Sequence, residues 1–107
     1  MRILRQSIFI AATLAIGLFG TAAQAETIQV QVNKLVYNPI DVQAKVGDTI
    51  EWVNNDPFAH TATVKGGWEV MLPPKKSGTY VVTEAGTIDY YCRFHPNMKG
   101  RIIVSAK

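Results

Sequence analysis

A chain of 107 residues has room for one small domain, and its 11 Lys plus Arg against 8 Asp plus Glu leave a net charge of only +3. The basic residues are scattered apart from the Lys75-Lys76 pair, which reads as a solvated turn, so no basic stripe suited to a nucleic-acid backbone is present. Cys92 is the only cysteine, which excludes an internal disulfide.

The chain opens with Arg2 and Arg5, then an apolar run from Ser7 to Phe19, then small residues ending in Ala23-Gln24-Ala25. That order is the layout of a secretory signal peptide, and cleavage is predicted before Glu26. A membrane anchor needs about 20 apolar residues, more than this run supplies, so no membrane contact is expected after cleavage. Residues 1–25 are therefore read as a signal peptide and residues 26–107 as one exported, periplasmic domain. Without Arg2 and Arg5 the domain carries nine basic and eight acidic residues, a net of +1. Eighty-two residues bury little apolar surface, and exported domains of that size commonly add disulfides or a metal. With no disulfide available, an odd cysteine in an oxidising compartment needs another explanation.

Short alternating stretches follow, separated by turn residues, with no heptad and no amphipathic helix. Ile28, Val30 and Val32 alternate with polar residues, as do Ile40, Val42 and Ala44 after Asn38-Pro39. Lys45-Val46-Gly47-Asp48 predicts a turn before Thr49–Val53. Asn54-Asn55-Asp56-Pro57 breaks the chain again before an extended stretch from Phe58 to Val64. Residues 66–76 alternate poorly and predict an irregular segment, in which Trp68 is expected in the core and Met71 is left open. Tyr80 and Val82, then Thr87–Cys92, then Arg101–Val104 complete the series. Seven or eight short strands with turns every 8–12 residues predict an all-β sandwich or barrel, burying Ile50, Trp52, Ile88, Tyr90, Ile102 and Val104 or their alternates.

The chemistry concentrates in Tyr91-Cys92-Arg93-Phe94-His95-Pro96-Asn97-Met98-Lys99-Gly100. Cys92, His95 and Met98 are spaced by three at the end of a predicted strand. Pro96 opposes a helix there, and a tight loop can aim the three side chains at one point. His60, the only other histidine, lies in the strand after Pro57 and meets them if the two strands are neighbours. Two His, one Cys and one Met are the ligand set of an electron-transfer copper site, since thioether is a soft ligand that suits copper(I). Structural zinc sites use Cys, His and carboxylate, not Met.

With these residues in place the sequence resembles the cupredoxins, and within them the short-looped amicyanin branch. Cys92-x-x-His95-x-x-Met98 with a single upstream His60 carries the resemblance, together with Val46-Gly47-Asp48-Thr49-Ile50-Glu51-Trp52, Glu84-Ala85-Gly86-Thr87, Asp89-Tyr90 and Met98–Val104. It covers nearly all of residues 26–107 and implies a Greek-key β-sandwich, one type 1 copper on His60, Cys92, His95 and Met98, and a last histidine whose edge faces solvent. Three positions depart from the family pattern: Thr61 replaces an Asn, Arg93 a small polar residue, and Ile88 a corner Tyr. The first two matter because the family's side chains there tie the two ligand loops together, and such outer bonds tune a metal site.

The expected function is single-electron transport by a monomer between redox proteins such as a c-type cytochrome and a periplasmic dehydrogenase or oxidase. Phe94, Pro96 and Phe58 would form an apolar rim around His95 suited to brief docking. A periplasmic copper carrier or buffer is the alternative, although such proteins favour open Met- or His-rich sites. An enzyme with Cys92 as nucleophile and His95 as base lacks an orienting group and an oxyanion hole, so no catalytic activity is expected.

Overall fold

A computed structural model describes residues 24–106, so all but the last two residues of the predicted signal segment lie outside it. Nine strands follow one another: β1 (Thr27–Asn33), β2 (Val36–Asn38), β3 (Asp41–Lys45), β4 (Thr49–Asn54), β5 (His60–Thr63), β6 (Glu69–Leu72), β7 (Ser77–Val81), β8 (Gly86–Tyr91) and β9 (Lys99–Ser105). They form a four-stranded sheet in the order β2-β1-β4-β7 and a five-stranded sheet in the order β3-β9-β8-β5-β6. The chain passes repeatedly from one sheet to the other, which allows the parallel pairs β1–β4 and β3–β9 within an otherwise antiparallel sandwich. The fold is all-β, as expected.

Period-two alternation decides which face of each strand turns inward. On β4, Ile50, Trp52 and Asn54 are buried and their neighbours half-buried; β9 buries Gly100, Ile102 and Val104 in the same way. Val30 and Val32 from β1 and Val42 and Ala44 from β3 close the core. A side chain such as Ile50 or Ile102, fully buried here, contributes about 1.5–3 kcal/mol through transfer from water. Three aromatic rings fill the centre: Trp52 Nε1 donates to Tyr90 Oη at 3.2 Å, and Tyr37 meets the Tyr90 ring edge-on at 4.8 Å. Tyr90 lies so close over its cross-strand neighbour that position 100 must be glycine, because a Cβ there would come within 2.4 Å of the ring.

Three expectations need correction. The strands number nine because β2 has only three residues and because β6 runs through the segment expected to be irregular. The four residues of β6, set between Gly66-Gly67 and Pro73-Pro74, are too few to show a period, yet they pair with β5 across its whole length. Ile40, expected to point inward with Val42 and Ala44, is 57% exposed, because the bend at residues 39–40 turns it out before β3 begins. Trp68 is half-buried and packs on the core, stacked on Tyr80 at 3.9 Å, and Ile88 packs beside them. Met71 faces outward.

The sheet order also settles where the sequence-predicted donors meet. β5 lies between β8 and β6, so His60 at the start of β5 and Cys92 just beyond β8 reach the same end of the sandwich.

Candidate metal centre

His60 and Cys92 are fully buried and His95 is half-buried; their donor atoms all lie within 4.8 Å of one another. The Cys92 Sγ is 3.7 Å from His60 Nδ1 and 3.7 Å from His95 Nδ1. A first-row ion bound about 2.0–2.3 Å from each donor subtends an N···S distance of about 3.6–3.8 Å, so the cluster has the size of a metal site. Met98 is also buried, 4% exposed, at the end of the same loop.

The loop is shaped by its own backbone. His95 N donates to Cys92 O at 3.2 Å, Met98 N to His95 O at 2.8 Å, and Cys92 N to Met98 O at 3.1 Å. Two successive turns each advance the chain by three residues, and the last bond closes the loop on itself. The spacing of three is thus a chain of turns rather than a helix face.

His60 is oriented from behind by a residue that sequence reasoning took only for a turn former. Its Nε2 donates to Asp56 Oδ2 at 2.7 Å, which leaves the Nδ1 lone pair facing Cys92. Asp56 is itself buried and accepts the backbone amides of Lys34 at 2.7 Å and Leu35 at 3.1 Å. Those two residues form the β1–β2 turn with φ of 52° and 63°, a left-handed conformation unfavourable for either side chain. Charge-assisted bonds from Asp56 offset that cost. Burial raises the Asp56 pKa, but the Leu35 amide, the His60 imidazole and the Lys34 amide outweigh it and hold the carboxyl below the ordinary range. An Asp four residues before the histidine was the available signal, but its neighbours Asn54, Asn55 and Pro57 made it look like part of a surface break.

Thr61 and Arg93, two of the three family departures, do tie the loops together: the Arg93 amide donates to Thr61 Oγ1 at 2.8 Å. Arg93 also forms a salt bridge to Glu69 at 2.8 Å, and its guanidinium sits 4.8 Å from the Phe94 ring centre. Arg93 and then the Thr63 hydroxyl hold the Glu69 pKa below its usual value, despite an opposing contribution from burial. Tyr37 donates to the Thr61 carbonyl, which fixes the residue after His60 from the core side. Burial, then Cys92 and Tyr90, push the Tyr37 phenol well above its ordinary pKa, so it remains a donor.

Around His95 the surface is apolar. Phe58 and Phe94 are 40% and 44% exposed, and the Phe58 ring centre lies 5.9 Å from that of His95 and 5.2 Å from that of His60. A cleft of about 760 Å³ beside β8 and β9 is lined by Ile40, Tyr91, Pro96 and Lys99 among others, but by none of the four sequence-predicted donors. A buried Cys92 between two imidazoles is placed to hold an ion and not to attack a substrate.

Soft sulfur and imidazole donors, buried at one end of a rigid β-sandwich, define a small copper-binding electron carrier. The sequence matches the cupredoxin-like domain over residues 6–104, and the chain belongs to that family. It is 33% identical over 97 residues to amicyanin of Paracoccus denitrificans, covering 80% of this chain and 72% of that one. Plastocyanin of a Synechococcus species is 31% identical over 113 residues, covering 86% and 83% respectively. Among solved structures, a reduced amicyanin variant superposes with a TM-score of 0.68 at 32% identity, covering 81% of this chain and 88% of that chain. The protein is a cupredoxin electron carrier and not an enzyme.

Proposed function

We propose that this is an exported periplasmic carrier whose residues His60, Cys92, His95 and Met98 hold one copper ion, and that it passes single electrons between soluble redox proteins. The observation that carries this reading is the convergence of the Cys92 sulfur with one Nδ1 from each histidine, 3.7 Å away in both cases. Copper bound there supplies a one-electron Cu(I)/Cu(II) couple. The chain's own contribution is to hold the donors still. Asp56 and the Tyr37–Thr61 contact fix His60, and the two-turn loop fixes Cys92, His95 and Met98, so little rearrangement accompanies a change of charge.

His95 is the half-buried donor, and Phe58, Phe94 and Pro96 surround it with apolar surface, an arrangement that supports brief, easily reversed docking. The partners in this reading are a c-type cytochrome and a periplasmic dehydrogenase or oxidase; the likeness to amicyanins, and to a methylamine utilization protein of Methylorubrum extorquens 25% identical over 112 residues, supports redox partners of that general kind. Arg2, Arg5 and the apolar run to Phe19 support export with cleavage after Ala25. A copper-delivery role fits less well, because two of the four donors are completely buried, unlike the open sites that suit metal transfer.

The copper(II)-loaded protein should show an intense blue sulfur-to-metal charge-transfer band, and Cys92→Ala should abolish it. A Cys92→Ala protein that keeps the full band would refute the assignment of the centre.

A further inference from the structure

A ring of hydrogen bonds on the outer face of the five-stranded sheet begins and ends on Arg93. Its backbone amide donates to Thr61 Oγ1 at 2.8 Å, and Thr61 Oγ1 lies 2.7 Å from Thr63 Oγ1. Thr63 Oγ1 donates to Glu69 Oε1 at 2.8 Å, and Arg93 Nε donates to the same oxygen at 2.8 Å. A second guanidinium bond, Nη2 to Glu69 Oε2 at 3.0 Å, makes the Arg–Glu contact bidentate.

The direction of every bond in the ring is determined. Each hydroxyl has one proton, and an ionised carboxylate only accepts. Thr63 therefore gives its proton to Glu69 and must accept from Thr61. Thr61, having given its proton to Thr63, has lone pairs left for the Arg93 amide. No member is frustrated, and the three bonds that lead from the Arg93 amide through Thr61 and Thr63 to Glu69 run in one sense and polarise one another.

Placement gives the ring its meaning. Thr61 follows His60, and Arg93 follows Cys92. β5 and β8 share only the register pair Thr63↔Tyr91, so the backbone ladder between them stops short of both donors. The ring bridges the two segments beyond that point. Glu69, directly opposite Thr63 on β6, anchors it from a third strand. Thr61 and Thr63 are 0% and 8% exposed although their strand turns them away from the core.

We propose that Thr61, Thr63 and Glu69 are positioning residues for the metal centre, holding the His60 and Cys92 segments at a fixed spacing from the outer face. This rests on the copper reading above. Arg93 and Thr61 thereby replace the tie that the family makes with other side chains, and Glu69 and Thr63 extend it across two strands.

The test uses the full mature chain in four forms: parent, Thr63→Val, Thr63→Ser and Glu69→Gln. Two quantities are measured: copper(II) affinity by chelator competition, and hydrogen exchange of the Arg93 amide in copper-free protein. Thr63→Val should weaken copper binding about 10- to 100-fold and speed exchange at Arg93, and Thr63→Ser should restore both. Glu69→Gln, which keeps an acceptor oxygen but loses the second guanidinium bond, should move both in the same direction by less. Should Thr63→Val fail to fold, Glu69→Gln, at a partly exposed side chain, decides the matter alone. Unchanged copper affinity in Thr63→Val and Glu69→Gln, with or without a change at Arg93, would overturn the positioning role and leave the copper reading standing. A parent protein that binds no copper would overturn both.

Discussion

Asp48 and Asp56 are two buried carboxylates that do the same structural work in different places. Asp48 Oδ1 accepts from the Glu26 backbone nitrogen at 2.9 Å and its Oδ2 from the Lys45 amide at 2.8 Å, which pins the start of β1 to the β3–β4 turn. Asp56 accepts the Lys34 and Leu35 amides and so fixes the β1–β2 turn. Among the described residues only Asp56 has a third partner, the His60 imidazole. One carboxylate therefore serves the fold alone, and the other serves the fold and the metal centre together. A buried acid near a donor acquires a functional consequence through that one additional contact.

Substitution should separate the two roles. The largest effect is expected from Asp56→Ala, which leaves the Lys34 and Leu35 amides without their acceptor and frees the His60 ring to turn. Copper(II) affinity should fall about 10- to 100-fold and thermal stability should drop as well. Asp48→Ala should lower thermal stability while leaving copper affinity within about twofold of the parent, since the site is distant and shares no partner. Chelator competition and thermal melts on the same samples check both. Equal losses of affinity in the two variants would erase the distinction.

A smaller effect concerns acid. Hydrogen bonds from the Glu26 and Lys45 backbone nitrogens, against a weaker opposing contribution from burial, hold the Asp48 pKa below its ordinary value, with Lys45 charge adding to the lowering. A depressed carboxyl stabilises the fold above its unfolded pKa of about 3.9 and loses that contribution as pH falls through the folded value. Copper-free protein should therefore lose stability below about pH 4, and Asp48→Asn should make that decline shallower. Denaturant titrations at a series of pH values read the slope directly; an unchanged slope in Asp48→Asn would contradict the argument.

Much of this architecture was legible from residue order. Val30, Val32, Ile50, Trp52, Ile102 and Val104 sit where alternation placed them, and the turn at 45–48 stands where Gly47-Asp48 marked it. Ile40 and β6 escaped because four residues show no period and because a bend can turn one side chain out of phase. The meeting of His60, Cys92 and His95 at one end of the sandwich was legible, because Cys and His at that spacing, with a Met beyond, have few uses other than soft-metal binding. Asp56, Thr63 and Glu69 were not, because their role depends on strand register and turn geometry: Thr63 opposite Glu69 and Lys34-Leu35 beside Asp56 are facts of pairing that no local pattern encodes.

The claim that a single copper ion is held by two imidazoles and one thiolate, with the Met98 thioether beside them, is tested most directly by X-ray absorption at the copper edge of the loaded protein. Two nitrogen neighbours and one sulfur within about 2.0–2.3 Å, as for imidazole and thiolate ligands of a first-row metal, are the predicted result. A shell of nitrogen and oxygen neighbours with no sulfur would contradict it.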